Sequence, residues 1–189
     1  KPESLFDVEF GIGFNRQNIN TTVNLYWMEF KDEIVKSGQL DRFGQPITGN
    51  AERTRHIGCE VTFLYNLFEY FNISGNFTIS KNEIIKNKVY KKLFNPLTNK
   101  KEMMEIILDG NRIAGFPDFL SNLKLNYSND ILSATLLMQY SGDKYTDNFG
   151  DLNIKPYKDN KVDSYVVFNF DLSYKLGNIL GIKDIIAKL

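Results

Sequence analysis

Residues 6–15, "FDVEFGIGFN", alternate strictly between apolar side chains and polar or small ones. Every second residue is apolar, and Asp7, Glu9, two glycines and Asn15 lie between them. Because successive side chains of a β-strand point to opposite faces, this pattern predicts a strand with one apolar and one polar face. The surroundings that accept the apolar face are then either a protein core or lipid.

The same alternation predicts six further strands and the start of an eighth. They are "INTTVNLYW" (19–27), "IGCEVTFLY" (57–65), "FNISGNFTIS" (71–80), "FLSNLKLNY" (119–127), "LSATLLMQY" (132–140), "VVFNFDLSYK" (166–175) and "IKDIIAKL" (182–189). The connections at 15–18, 66–69 and 128–130 are short, which predicts antiparallel hairpins. The connections at about 36–50, 82–112 and 141–163 are long. We therefore predict a single all-β, antiparallel up-and-down domain over 1–189, with tight turns at one end and long loops at the other.

One loop segment is open to two interpretations. "KKEMMEIILDG" (100–110) could form one or two helical turns that end near Gly110, or an irregular loop with a β-extension.

Composition excludes several functions. The 23 basic and 23 acidic residues balance, so no net charge points to nucleic acid. A single cysteine (Cys59) and a single histidine (His56) exclude an internal disulfide and a multi-histidine metal site. The chain contains no apolar run long enough for a transmembrane helix, which needs about 18 residues. We predict no cofactor, no metal and no catalytic residue, because Glu60 and Asp171, the one candidate carboxylate pair, have no accompanying nucleophile.

Two features favour lipid over a soluble β-sandwich core. The polar face is mostly Asn, Ser, Thr and Gly, which is typical of a barrel lumen and not of a water-exposed surface rich in Lys and Glu. Aromatic residues also mark both strand ends, as in the girdles of outer-membrane barrels. They are Phe14, Tyr65, Tyr127 and Tyr174 near the short turns, with Trp27 and Tyr140 at the opposite end. The apolar set Phe10, Val61, Phe77, Leu125 and Phe170 is predicted to face lipid, and the set Glu9, Glu60, Asn76, Lys124 and Asp171 the interior.

Four ordered motifs resemble the barrel of TonB-dependent outer-membrane receptors. They are "KPESLFDVEFGIGF" (1–14), "NAERTRHIGCEVTFLY" (50–65), "GNRIAGFPDFLSNLKLNY" (110–127) and "DSYVVFNFDLSYKLG" (163–177). The second carries Ala51, Arg53, Arg55, Gly58 and Glu60 before an alternating strand, and the third carries Gly115 and Pro117 where the family has a proline ahead of its strand.

The resemblance implies that the chain is one arc of a larger barrel of about 22 strands. It corresponds to about the fourteenth to the twentieth strand and the start of the next, without the plug domain, the TonB-contacting box and the final strands of such receptors. Short turns are then periplasmic and long loops extracellular. Implied partners are outer-membrane lipid, a small-molecule nutrient and TonB through the missing N-terminal region, and the implied location is the bacterial outer membrane.

The predicted function is energy-coupled uptake of a scarce nutrient such as a ferric siderophore. The alternatives are a small outer-membrane porin or structural barrel and a soluble β-sandwich binding module. Tyr145, Asn148, Phe149 and Tyr157 are candidate ligand-contact residues, since aromatic rings recur in small-molecule sites, although loop packing explains them equally well. Arg53, Arg55, Glu60, Lys124 and Asp171 are candidate polar residues of the lumen or rim.

Overall fold

The computed structural model describes residues 1–95, 99–150, 160–179 and 182–189. Its secondary structure consists of twelve β-strands. They are β1 (Ser4–Arg16), β2 (Ile19–Leu40), β3 (Pro46–Phe68), β4 (Phe71–Lys86), β5 (Lys88–Asn95), β6 (Lys100–Ile107), β7 (Phe119–Ser128), β8 (Leu132–Ser141), β9 (Lys144–Tyr145), β10 (Lys161–Val162), β11 (Tyr165–Ile179) and β12 (Ile182–Lys188). The described residues include no helix that is long and apolar enough to cross a membrane.

Eight strands form one antiparallel sheet in the order β1-β2-β3-β4-β7-β8-β11-β12. Tight turns connect β1 to β2, β3 to β4 and β7 to β8 at one end of the sheet, and the longer connections lie at the other. The predicted all-β, antiparallel up-and-down architecture is therefore confirmed, including the eighth strand.

The sheet has one apolar and one polar face. On the apolar face, Leu25 lies between Phe10 and Cys59 of the neighbouring strands. On the polar face, Glu60 lies between Asn24 and Thr78. Side chains on the apolar face are open to the surroundings, with Phe10 66% and Phe168 63% exposed. The register places the two predicted facing sets, the apolar and the polar one, on opposite faces of the same sheet.

Two connections differ from their sequence-based descriptions. The long connection at 36–50 is mostly strand, because β2 and β3 stay paired from Lys36↔Thr48 to Leu40↔Pro46 and leave a turn at 41–45. The helical interpretation of 100–110 is wrong, because residues 100–107 form β6, which pairs with β5. A strand there turns Ile106 inward onto a hydrophobic core while its neighbour Ile107 remains exposed.

That core lies at the loop end of the sheet and joins residues from distant segments. It consists of Val35, Ala51, Ile84, Ile106, Leu108, Ile113 and Phe149, with Val89 and Leu93 packed against it. We call this set of residues the loop core. The β5–β6 hairpin and Phe149 of the connection after β8 thus pack onto extensions of β2, β3 and β4.

The alternation of β2 reverses at Asp32, just below the loop core. Leu25 and Trp27, at odd-numbered positions, are exposed on the apolar face. Glu33 and Val35 also have odd numbers and would lie on the same face of a regular strand, but they are buried. Asp32 has a φ of 57°, in the left-handed region that non-glycine residues rarely adopt. Its backbone oxygen accepts a 2.6 Å hydrogen bond from Asn50 Nδ2, which supports this conformation. The reversal brings the Glu33 carboxylate to the polar side of the sheet.

Candidate functional site

The polar face carries a continuous chain of side-chain amides across four strands. Asn169 Nδ2 donates to Gln139 Oε1 at 3.4 Å, and Gln139 Nε2 donates to Asn122 Oδ1 at 3.1 Å. Asn122 Nδ2 then donates to Asn76 Oδ1 at 2.9 Å. Since each amide both donates and accepts, the chain gives the sheet a polar, uncharged wall that can exchange hydrogen bonds with water or with another polar surface.

The structure divides the predicted polar residues between the two faces. Glu60, Lys124 and Asp171 lie on the polar face, opposite Asn24, Ser74 and Thr135 respectively. The two arginines occupy odd positions of β3 and therefore lie on the other face.

Arg53 and Arg55 lie at the loop-side margin of the apolar face, where they contact Glu29. Arg53 Nε is 3.0 Å from Glu29 Oε2, and Arg55 makes a second ion pair with the same carboxylate. The Arg55 guanidinium also lies 5.3 Å from the ring centroid of Trp27. A role of these two arginines at the rim or in the lumen stays a prediction.

Three of the four predicted ligand-contact residues lie inside the loop end of the molecule. Tyr145, Asn148 and Phe149 are only 6%, 4% and 2% exposed, and Tyr157 lies outside the described residues. Of these three, Tyr145 borders the charged cleft described below, whereas Asn148 and Phe149 do not line it. Their contact with a ligand stays a prediction, whereas their contribution to packing is visible.

Asn148 hydrogen-bonds two other segments through its side chain. Its Oδ1 accepts from the backbone N–H of Ala114 at 2.7 Å, and its Nδ2 donates to the carbonyl of Lys36 at 2.7 Å. Asn111 Nδ2 donates to the Asn148 carbonyl at 3.0 Å. Asn148 thereby ties the connection at 141–163 to β2 and to the segment that precedes β7.

A charged cleft of about 560 Å³ opens beside these buried residues. It is lined by Gly110, Asn111, Arg112, Asp143, Tyr145, Gly150 and Lys161. Asp143 Oδ2 lies 2.8 Å from Lys161 Nζ and 3.8 Å from Arg112 Nη1, and the Lys161 hydrogen bond holds the pKa of the Asp143 carboxyl below its usual range. The sequence alone did not reveal this cleft, because its residues come from two connections that only the folded chain brings together.

A second cavity, of about 410 Å³, lies on the polar face where that face meets the loop end. Its lining includes Glu9, Glu60 and His56 together with Phe116. Among the described residues, no group of three or more His, Cys, Asp or Glu side chains could hold a metal ion.

An open antiparallel sheet with an exposed apolar face, an amide-rich polar face and folded loops at one end defines a segment of a large β-barrel wall. The family model for the TonB-dependent receptor-like β-barrel matches residues 1–185. The chain belongs to this family of transport receptors.

Solved receptors of the same architecture are similar in structure and distant in sequence. The ferric yersiniabactin uptake receptor FyuA from Yersinia pestis matches 91% of this chain with a TM-score of 0.62 and 13% identity, over 22% of its own length. The ferric citrate transporter FecA matches 94% with a TM-score of 0.65 and 16% identity, over 24% of its length. The siderophore receptor PiuA from Acinetobacter baumannii matches 93% with a TM-score of 0.61 and 21% identity, over 22% of its length. The chain thus spans less than a quarter of each of these receptors. No curated protein matches it.

Proposed function

We propose that this chain forms part of the barrel wall of an outer-membrane receptor that takes up a scarce nutrient, such as a ferric siderophore, at the expense of energy delivered through TonB. Membership of the TonB-dependent receptor family carries this proposal. The siderophore and ferric citrate receptors among its structural neighbours support a ligand of that kind.

The apolar face supports an orientation toward lipid. Large side chains such as Phe6, Phe10 and Phe168 are more than 60% exposed in the isolated chain, and a soluble protein rarely exposes so wide an apolar surface. In a bilayer the same surface is favourable. The backbone N–H and C=O groups hydrogen-bond between neighbouring strands, so only apolar side chains contact the acyl chains. The outer membrane is therefore the proposed location.

The loop end supports the proposed ligand side. The tight turns at the opposite end are too short to build a pocket, whereas the loop end carries a charged cleft and a second cavity. Arg112 and Lys161 contribute cationic groups to that cleft, where both are ion-paired with Asp143, and Tyr145 contributes an aromatic side chain. Such a surface is suited to an anionic chelate, which combines carboxylate or phenolate oxygens with ring faces.

A small, passive eight-stranded barrel is the alternative. It requires the first and last strands to bond to each other, as in any closed barrel. In the described residues β1 and β12 stand at opposite ends of the strand order and are not paired. The open sheet favours an arc of a larger barrel.

The test is iron uptake by cells that carry the complete receptor and lack their own ferric siderophore receptors. Radioactive iron is supplied as ferric citrate or as a ferric catecholate, with and without an uncoupler of the inner membrane. Uptake of either complex that stops with the uncoupler, and that needs TonB, supports the proposal. Uptake that continues unchanged in the uncoupled cells indicates a passive pore and contradicts it.

A further inference from the structure

A network of buried polar side chains lies where β2, β3 and β4 meet the segment 110–118. Its members are Glu33, Thr54, His56 and Asn82. His56 Nδ1 lies 2.7 Å from Asn82 Oδ1, and His56 Nε2 lies 3.2 Å from Glu33 Oε2. The Thr54 hydroxyl donates to the same Glu33 oxygen. Neither the uptake function nor the sequence motifs assign a role to this network.

The two side-chain atoms that contact the His56 ring nitrogens are oxygens, which accept hydrogen bonds when Glu33 is ionised. Asn82 Nδ2 donates to Ser80 Oγ at 2.9 Å, so the amide oxygen of Asn82 is the atom that faces His56. The carboxylate oxygen of Glu33 is also an acceptor. Neutral imidazole has only one N–H, and the imidazolium has two. With Glu33 ionised and the Asn82 oxygen facing the ring, both contacts are satisfied only when His56 is positively charged.

The network contacts the segment 110–118 directly. The Phe116 ring packs against the His56 ring with centroids 5.2 Å apart and an interplanar angle of 64°. The N–H of Ile113 donates to the Asn82 carbonyl at 3.0 Å. At the far end of the segment, the N–H of Ser80 donates to the Asp118 carbonyl at 2.8 Å, and its hydroxyl donates to the Pro117 carbonyl at 3.4 Å.

The charges around His56 favour its protonated form. Glu33 comes from β2, and Glu9 of β1 and Glu60 of β3 line the same cavity. In the segment itself, Arg112 Nη2 is 2.6 Å from Asp118 Oδ2, so this pair is neutral as a unit. The remaining side chains that line the cavity are Asn24, Tyr26, Met28, Phe30, Thr78, Ser80, Asn82, Phe116, Pro117 and Leu120. Among the residues that line this cavity, the acidic side chains Glu9, Glu33 and Glu60 are thus the charged groups beside His56.

We propose that His56, as an imidazolium, is a positioning residue that holds the segment 110–118 against the polar face, and that this hold weakens when the proton is lost. Deprotonation leaves either Asn82 Oδ1 without its imidazole donor or the Glu33 carboxylate facing an imidazole lone pair, with the Thr54 hydroxyl as its remaining donor. The segment also supplies Gly110, Asn111 and Arg112 to the charged cleft. Resting on the proposed function, the inference therefore extends to ligand capture, which should weaken as the pH rises.

The test measures backbone hydrogen exchange in the segment 110–118 of the complete receptor in detergent. Exchange is followed by mass spectrometry from about pH 5 to pH 9, a range that spans the ordinary titration of imidazole, and is divided by the intrinsic rate at each pH. The variants are His56→Gln and Glu33→Gln. The control is Thr22→Val, which removes a hydroxyl contact with Thr62 on the same face but away from the segment.

In the unmodified receptor, corrected exchange of the segment should accelerate by about tenfold to a hundredfold as the pH rises, which corresponds to the loss of one hydrogen bond to a charged group. His56→Gln should exchange rapidly at every pH. Glu33→Gln should begin to exchange faster at a lower pH than the unmodified receptor, because the imidazolium has lost its counter-charge. Thr22→Val should follow the unmodified profile.

The proposal is overturned if the corrected exchange rate of the segment does not change with pH in the unmodified receptor. It is also overturned if the pH profile of Glu33→Gln coincides with that of the unmodified receptor. If His56→Gln does not assemble, the unmodified and Glu33→Gln profiles still decide the question. Because no ligand is added, a failed result here leaves the uptake proposal intact. Absent uptake combined with the expected exchange profile contradicts the uptake proposal alone.

Discussion

Replacing Asn148 by Ala would remove the side chain that joins the connection at 141–163 to β2 and to the segment before β7. The substitution leaves the N–H of Ala114 and the carbonyl of Lys36 without the 2.7 Å partners they have now. A buried polar group that loses its partner costs about 1–3 kcal/mol, and this applies to the N–H of the buried Ala114, whereas the carbonyl of the exposed Lys36 can bond to water instead. We therefore expect the loop end to open more easily by about 1–3 kcal/mol, while the eight-stranded sheet keeps its stability.

The measurement is the free energy of local opening, from hydrogen exchange of residues 110–115 in the complete receptor. Asn169→Ala is the matched control, because Asn169 makes one 3.4 Å bond on the exposed polar face and should leave the loop end unchanged. Ligand binding is measured in parallel. If Asn148→Ala leaves exchange unchanged but weakens binding of the ferric complex, Asn148 acts as a direct ligand contact and the structural argument is refuted.

Three further changes test other parts of the molecule. Phe10→Arg should lower the free energy of unfolding in liposomes by about 2–4 kcal/mol if the side chain lies near the bilayer centre, whereas Phe10→Leu should lower it little. Equal stability of the two variants would contradict the prediction that this face of β1 contacts lipid. Gly58→Ala should lower the free energy of unfolding in detergent by about 1–3 kcal/mol, because the added Cβ would lie 2.3 Å from the Tyr26 hydroxyl. In a variant that already carries Tyr26→Ala, the same substitution should cost much less. The lowered pKa of Asp143 means that its bond to Lys161 stabilises the loop end above the ordinary carboxyl pKa of about 3.9, and that this contribution is lost as the pH falls below it. Lys161→Met should abolish the acid-induced increase in local hydrogen exchange that comes from this ion pair. An unchanged acid profile in Lys161→Met would show that the ion pair does not stabilise the loop end.

The amide chain of the polar face gives the barrel wall a surface without strong charge. A neighbouring polar surface can exchange hydrogen bonds with Asn76, Asn122, Gln139 and Asn169 without breaking an ion pair. Such exchanges cost little, because each broken bond is replaced by one of the same kind. This composition suits a wall that faces water or another polar surface.

The alternation of side chains was sufficient to predict the sheet and the facing of its residues. A strand repeats every two residues, so a run such as 6–15 specifies both faces before any partner strand is known. Short turns of two or three residues leave neighbouring strands no geometry except the antiparallel hairpin. The tight-turn end of the sheet was therefore readable from local sequence.

The loop end depended on contacts between distant residues. Asn148 and Lys36 are separated by 112 positions, and no local pattern relates an Asn in a loop to a carbonyl that far away. The inversion at Asp32 likewise breaks the two-residue period, so the burial of Glu33 beside His56 contradicts what simple alternation along β2 predicts. Period two is a property of the extended backbone alone, whereas burial at the loop end is set by which connections pack together. The eight strands of the main sheet and their faces near the tight turns therefore followed from the sequence, and the roles of Asn148 and His56 became visible only when the chain had folded.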